Sequence, residues 1–209
     1  MKNYEERLND SLKRINTVHI DDIDKVFKLM REREYQDDIK RFRAPFFYRG
    51  LPNCDYSLQT TLQRNCKHKR QTLEETILRN FSKYAIDSDP LINESIWRKM
   101  ILGQHHGLPT RLMDWSYSPL VGLHFAVSEN NAQEFPAHDC SIWEISCLDI
   151  INILPDSYVH ILNKENAYLF TVGMLSSTVD TLQHYICRFA AMQNVIHLPC
   201  LPLYKKLKK

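Results

Sequence analysis

Glycine is scarce in this chain: five glycines serve 209 residues. A chain with so little glycine has few places where its backbone can turn tightly or let another group come close. Three of the five, Gly50, Gly103 and Gly107, stand in two short polar segments flanked by apolar runs, so these segments mark where such backbone is needed. The first closes Pro45-Phe46-Phe47-Tyr48-Arg49-Gly50, which reads as a buried aromatic strand ending at a glycine turn. The second opens a polar segment that runs from Gly103 to Ser116.

Composition limits the class. With 44% hydrophobic and 25% charged residues the chain resembles an ordinary globular protein, not a disordered chain, a collagen repeat or a coiled-coil rod. A chain of this length buries roughly 70% of its unfolded surface, enough for a core. No apolar run approaches the ~20 residues of a membrane helix. The start is charged (Lys2, Glu5, Glu6, Arg7, Asp10) and has no apolar segment behind it, so the expectation is a soluble, cytoplasmic protein with no membrane partner. The six cysteines show no Cys-x-x-Cys pair and read as reduced, mostly buried thiols. The net charge of +2 points to no partner; the one basic concentration, the four lysines within Tyr204 to Lys209, reads as a solvated end, with a tail for nucleic acid or an anionic membrane as the alternative.

Periodicity supplies the elements. Tyr4, Leu8, Leu12 and Ile15 share a helical face, and Ile23, Val26, Phe27 and Met30 share another after a cap at Asp21 or Asp22. Tyr56, Leu58, Thr60 and Leu62 alternate as a short extended piece. Leu73, Ile77, Phe81 and Tyr84 return to helical spacing, and a helix through Ile96, Trp97, Met100 and Ile101 ends near Gly103. Ser118 as N-cap and Pro119 in the first turn start a helix that runs to about Ser128. Ser141 to Ile145 reads as a strand. Weaker patterns suggest a strand from Tyr168 to Val172, a helix from Thr178 to Arg188 and an extended piece from Gln193 to His197. The expected fold is α+β, a small mixed sheet with flanking helices. It divides into an N-terminal helical segment (1–40), a central domain (41–150) and a C-terminal extension (151–209) that completes the same globular unit.

Two motifs carry chemistry. Arg49 at the end of a buried strand is held on rigid backbone, and its planar fork suits phosphate or carboxylate. The alternative is an internal pair, with Asp114 the obvious carboxylate. The second motif, Gly103-Gln104-His105-His106-Gly107-Leu108-Pro109-Thr110-Arg111-Leu112-Met113-Asp114-Trp115-Ser116, packs in polar groups that are costly to bury unless they satisfy one another or a ligand. His105 and His106 are adjacent and point apart on non-helical backbone, so they make poor co-ligands and no metal is expected. A histidine base oriented by Asp114 is one reading, and a polar network that locks a loop is the other.

These motifs, with Tyr56 to Arg64, Ser118-Pro119-Leu120-Val121 and Phe125-Ala126, resemble the FRG domain family over about residues 40 to 150. The family, named for its (F/Y)RG motif, is common in bacteria and their phages. Its order of elements is similar to a diverged ADP-ribosyltransferase. That resemblance implies that Arg49 holds the phosphate or ribose of NAD, within a cofactor-binding set of Tyr48, Arg49, Gly50, Gln104, Thr110, Trp115 and Ser116. It puts Ser116 and Asp114 where the second strand carries its hydroxyls, with Trp115 or Tyr48 stacking on a ring. His105, His106 and Asp114 are the catalytic candidates. The late-strand glutamate of the transferases has no clear counterpart, since Gln193 is well placed but neutral and Glu144 comes early. The two leading expectations are an NAD-using enzyme that modifies a nucleic acid or protein acceptor, and a non-catalytic module that senses a nucleotide, nucleic acid or protein. A hydrolase built on His105, His106 and Asp114 is third, and phage defence would suit any of them.

Overall fold

The computed structural model describes residues 16–22, 24–28, 35–36, 40–42, 46–85, 89–128, 138–167, 169–176 and 193–198. It divides into two compact units, each assembled from separated stretches. A sheet-bearing unit comprises Met1–Ser57, Asp114–Leu154 and Phe189–Lys209, and a helical unit comprises Leu58–Met113 and Pro155–Arg188. The units therefore follow contacts, not consecutive thirds of the chain. In chain order the elements are β1 (Asn16–His19), β2 (Tyr35–Gln36), β3 (Arg41–Phe42), β4 (Phe46–Leu51), α1 (Thr61–Cys66), α2 (Arg70–Ala85) and α3 (Ile96–His105). After them come α4 (Pro119–Val127), β5 (Cys140–Ser146), α5 (Cys147–Ile153), α6 (Asp156–Lys164), α7 (Val172–Ser176) and β6 (Gln193–Leu198). The mixture is α+β, as the patterning predicts.

In the sheet-bearing unit four strands lie in the order β1-β6-β5-β4. β6 runs parallel to β1 and antiparallel to β5, and β4 is antiparallel to β5. β2 and β3 form a separate two-stranded ladder. Side chains alternate across a pleated strand. The β4–β5 register therefore puts Tyr48 beside Glu144 and Gly50 beside Ile142 on one face, and Phe47 beside Ile145, Arg49 beside Trp143 and Leu51 beside Ser141 on the other. The first face holds the core: Tyr48, Cys140 and Ile142 bury with Ala126 of α4, Ile20 and Val26, and Val18, Phe46 and Leu123 pack around them. Each such large apolar side chain contributes about 1.5–3 kcal/mol through burial.

α4 reaches this face because glycine lets it. A Cβ at Gly50 would stand 2.0 Å from the Gly122 carbonyl oxygen and 2.4 Å from the Ala126 nitrogen. From the other side, a Cβ at Gly122 would meet Tyr48 Cβ at 3.1 Å. Gly50 is thus a mid-strand position that admits a helix backbone, and not the turn expected of it; the strand continues to Leu51. Residues 16–19 are also a strand and not helix, since the β-branched pair Thr17-Val18 pairs with Val195 and Ile196. Residues 24–28 are helical and bury Val26, as expected. The helical faces expected at Tyr4 to Ile15 and at Ile23 and Met30 lie outside the described residues.

The helical unit explains two further departures. Thr60 caps α1 in a reciprocal box, accepting from the Gln63 amide (3.2 Å) while Gln63 Oε1 accepts from the Thr60 amide (2.8 Å). The alternation from Tyr56 to Leu62 therefore leads into a helix and forms no strand. α3 runs past the buried Gly103 and ends two residues later. There Gly107 adopts φ +81, its amide donates to the Gln104 carbonyl (2.9 Å), and the Leu108 amide donates to the Gly103 carbonyl (2.9 Å). This pair of bonds closes a helix with a left-handed glycine, so Gly107 and not Gly103 is the stop. Of the strand expected at Tyr168 to Val172, the described residues 169–172 instead lead into α7, where Thr171 Oγ1 accepts from the Met174 amide (3.2 Å). The extended piece at Gln193 to His197 is β6, and the helix expected from Thr178 to Arg188 lies outside the described residues. Among the described residues no helix is long and apolar enough to cross a membrane.

The glycine contact yields a direct test. Gly50→Ala should cost about 3 kcal/mol or more, because its neighbours are backbone and cannot step aside. Gly173→Ala, whose nearest neighbour would be 3.9 Å away, should be neutral or slightly stabilising. Urea unfolding midpoints of the two variants compare them.

Candidate functional site

The outer edge of β4 is not left open. Tyr48 and Ser116 exchange two main-chain hydrogen bonds (2.7 and 2.9 Å), so the segment from Asp114 to Ser116 lies against β4 as a bridge opposite β5. Ser116 Oγ accepts from the Ser118 amide (3.0 Å) and turns the chain into α4. Ser118 occupies the N-cap and Pro119 the first turn, as expected, without a side-chain bond from Ser118. Trp115 packs with Ile145, Ile153 and Ile150, and Tyr117 lies tilted against Phe47 with ring centroids 4.8 Å apart.

This bridge holds the arginine. Arg49 Nη1 donates to the main-chain oxygen of Asp114 at 2.6 Å. Arg49 and Asp114 do meet, through this bond to the main-chain carbonyl. Arg49 is half-buried on the sheet face opposite the core, directly across from Trp143. On the same face Ser141 is wholly buried. Among the described residues, the Ser141 hydroxyl and the Trp143 indole N–H are buried without a hydrogen-bond partner. Leaving such a group unsatisfied costs about 1–3 kcal/mol, so each calls for a water or a ligand atom. The guanidinium and indole groups only donate and the hydroxyl can donate, which matches the acceptor oxygens of a phosphate or ribose.

Tyr48 and Glu144 face the other way, 2% and 1% exposed in the core beneath α4. Gly50 serves the helix contact described above. Gln193 lies in β6 across from Ile145. Burial pushes the Cys147 thiol at the start of α5 above its usual range, so it stays protonated and is no activated nucleophile. Burial, and secondarily Cys147, raises the Tyr117 phenol likewise.

The histidine-bearing segment belongs to the helical unit, and most of its polar groups satisfy one another. Arg111 grips both carboxylate oxygens of Glu74, which is 1% exposed on α2: Nε bonds Oε1 at 2.9 Å and Oε2 at 2.8 Å, and Nη2 also bonds Oε2. Buried Thr110 donates to Gln104 Oε1, accepts from the Leu112 amide (3.3 Å), and its carbonyl accepts from the Leu62 amide (3.2 Å). The loop after α3 is locked at both ends. His105 and His106 stay exposed at the end of α3, with ring centroids 5.5 Å apart, and His106 rests on Phe81 at 5.8 Å. Among the described residues no three His, Cys, Asp or Glu side chains gather as a ligand set.

Ser141, Trp143 and Gly122 are not singled out by spacing. Their role depends on strand register, although the glycine inside the otherwise apolar helix Pro119 to Val127 is a signal in hindsight.

Residues 44–134 match the model of the FRG domain. This stretch is similar to the FRG domain. No curated protein and no solved structure matches the chain with significance. The three residues of the FRG motif do three different things: Tyr48 fills the core, Arg49 crosses to the opposite face, and Gly50 admits α4. The domain's second motif divides likewise, with Gln104, Thr110 and Arg111 locking a loop in one unit and Asp114 and Ser116 bracing β4 in the other.

The Arg111 lock predicts that Arg111→Ala will destabilise by about 3–5 kcal/mol, since it strands a buried carboxylate. Arg111→Met with Glu74→Leu should recover most of that loss. Equilibrium unfolding of the two variants reads both.

Proposed function

We propose that this protein binds a phosphate-bearing nucleotide on the Arg49 face of the β4–β5 pair, with NAD as the ligand. The observation that carries the reading is the donor set: an arginine fixed by the Asp114 carbonyl beside two buried groups, Ser141 Oγ and Trp143 Nε1, that find no partner among the described residues. A phosphate is a strong multiple acceptor, and a rigid arginine contacts it without first losing side-chain freedom. Of the two aromatics expected to stack on a ring, Tyr48 lies in the core and Trp115 is half-buried beside Ile145, Ile150 and Ile153.

A second reading makes NAD a substrate. It is favoured by the order of elements: an arginine-bearing strand, a hydroxyl-bearing segment paired with it at Ser116, then a helix ending in Phe125-Ala126, as in ADP-ribosyltransferases. Fixed dipoles around the breaking glycosidic bond would supply most of the rate. Asp114, exposed and in the same unit as Arg49, is the candidate to take a proton from an acceptor. Without turnover the same site is a sensor of nucleotide, the role the binding reading gives it.

At NAD one hundredfold above its dissociation constant the folded protein gains about 2.7 kcal/mol. For a chain of this length that is roughly 5–10 °C in melting temperature. Arg49→Gln, which keeps a donor for the Asp114 carbonyl, should abolish the NAD shift and leave the unliganded melt nearly unchanged. A shift that survives in this variant would overturn the site. A mass gain of one ADP-ribose unit on a target, lost in the same variant, decides for transfer over sensing.

A further inference from the structure

The junction of α1 and α2 carries a concentration of basic side chains. Between Asp55 and Glu74 the chain has no acidic residue, and Arg64, Lys67, His68, Lys69 and Arg70 stand almost side by side. All five are exposed, and among the described residues none of their side chains makes a hydrogen bond or ion pair. The backbone beneath them is constrained. α1 ends at Cys66, Lys67 takes φ 45, a tight turn spans Lys67–Lys69, and α2 begins at once with Arg70.

Each feature costs the protein stability. Arg64 with Lys67, and Lys67 with Arg70, are like charges three residues apart. Lys69 and Arg70 sit at the positive end of α2, whose first turn holds no acid. Lys67 has the positive φ that a side chain disfavours. Nothing among the described residues offsets this repulsion, but an external polyanion would.

We propose that this junction docks on the phosphodiester backbone of a nucleic acid, without reading its sequence. From Gln63 to Arg70 the exposed side chains are all polar. They offer no apolar group to insert into a bilayer and no anchor to fill a pocket on a protein, whereas closely set phosphates need only cations. The proposal is independent of the Arg49 site.

The test is the anisotropy of a labelled mixed-sequence DNA duplex, titrated with the full chain between 50 and 200 mM salt. Four engaged cations predict a slope of log affinity against log salt of about −3.6, a loss of roughly a hundredfold over that range. The variant Arg64→Gln, Lys67→Asn, Lys69→Gln and Arg70→Gln should lose most of that slope while its unfolding midpoint holds or rises. Asn is chosen at Lys67 because it tolerates positive φ. The proposal fails if wild-type binding is absent or independent of salt, or if the fourfold variant keeps it. It fails also if neutralising the lysines of Tyr204 to Lys209 removes the slope instead, or if phosphatidylserine vesicles of equal charge outcompete the duplex.

Discussion

The close approach of α4 to β4 at Gly50 and Gly122 is the contact on which the rest depends. A helix backbone within Cβ distance of a strand leaves no freedom in how the two elements sit, because any slip would drive a carbonyl into a Cα. That contact sets which face of β4 is core. With Tyr48 and Gly50 committed beneath α4, alternation sends Arg49 to the opposite face, across from Trp143. The Asp114–Ser116 bridge then closes the open edge of β4 and gives the guanidinium a fixed acceptor. The FRG motif thus works first as a packing device and only then as a place for a cation.

The polar density of the second motif has two outcomes, separated by burial. Thr110 and Glu74 are buried and fully engaged with Gln104 and Arg111, and that network holds a loop. His105 and His106, which directly follow Gln104, are solvent-facing. Buried ion pairs of this kind rarely add net stability over an apolar core, yet are costly to break from one side, which suits a role in fixing one loop conformation. Ser141 and Trp143 are the contrary case, buried donors with no protein partner among the described residues, and they are where a guest would be most rewarded.

Local patterns were the readable part of this chain. Leu73, Ile77, Phe81 and Tyr84 identify α2, Ser118-Pro119 starts α4, and the β-rich runs at Ser141 to Ile145 and Gln193 to His197 are strands, because each is decided by side-chain periodicity or a cap within a few residues. What could not be read was decided by contacts distant in sequence. Asn16–His19 is a strand because β6 pairs with it, Gly50 is mid-strand because α4 lies on it, and the alternation before Leu62 is overruled by the Thr60 cap. The candidate site was legible in part. Arg49, Asp114 and Ser116 were identifiable from the motif and lie together. Ser141 and Trp143 became visible only once the β4–β5 register was known, since no spacing rule links residue 49 to residue 143. The division of the second motif between two units is invisible to a linear reading.

The central claim is that the Arg49 face of the β4–β5 pair receives a nucleotide. The most direct measurement follows the indole N–H resonance of Trp143 by nuclear magnetic resonance as NAD is added. The account predicts that this resonance shifts and saturates together with the Arg49 side-chain signals. A Trp143 indole that stays in place while resonances elsewhere saturate would contradict it.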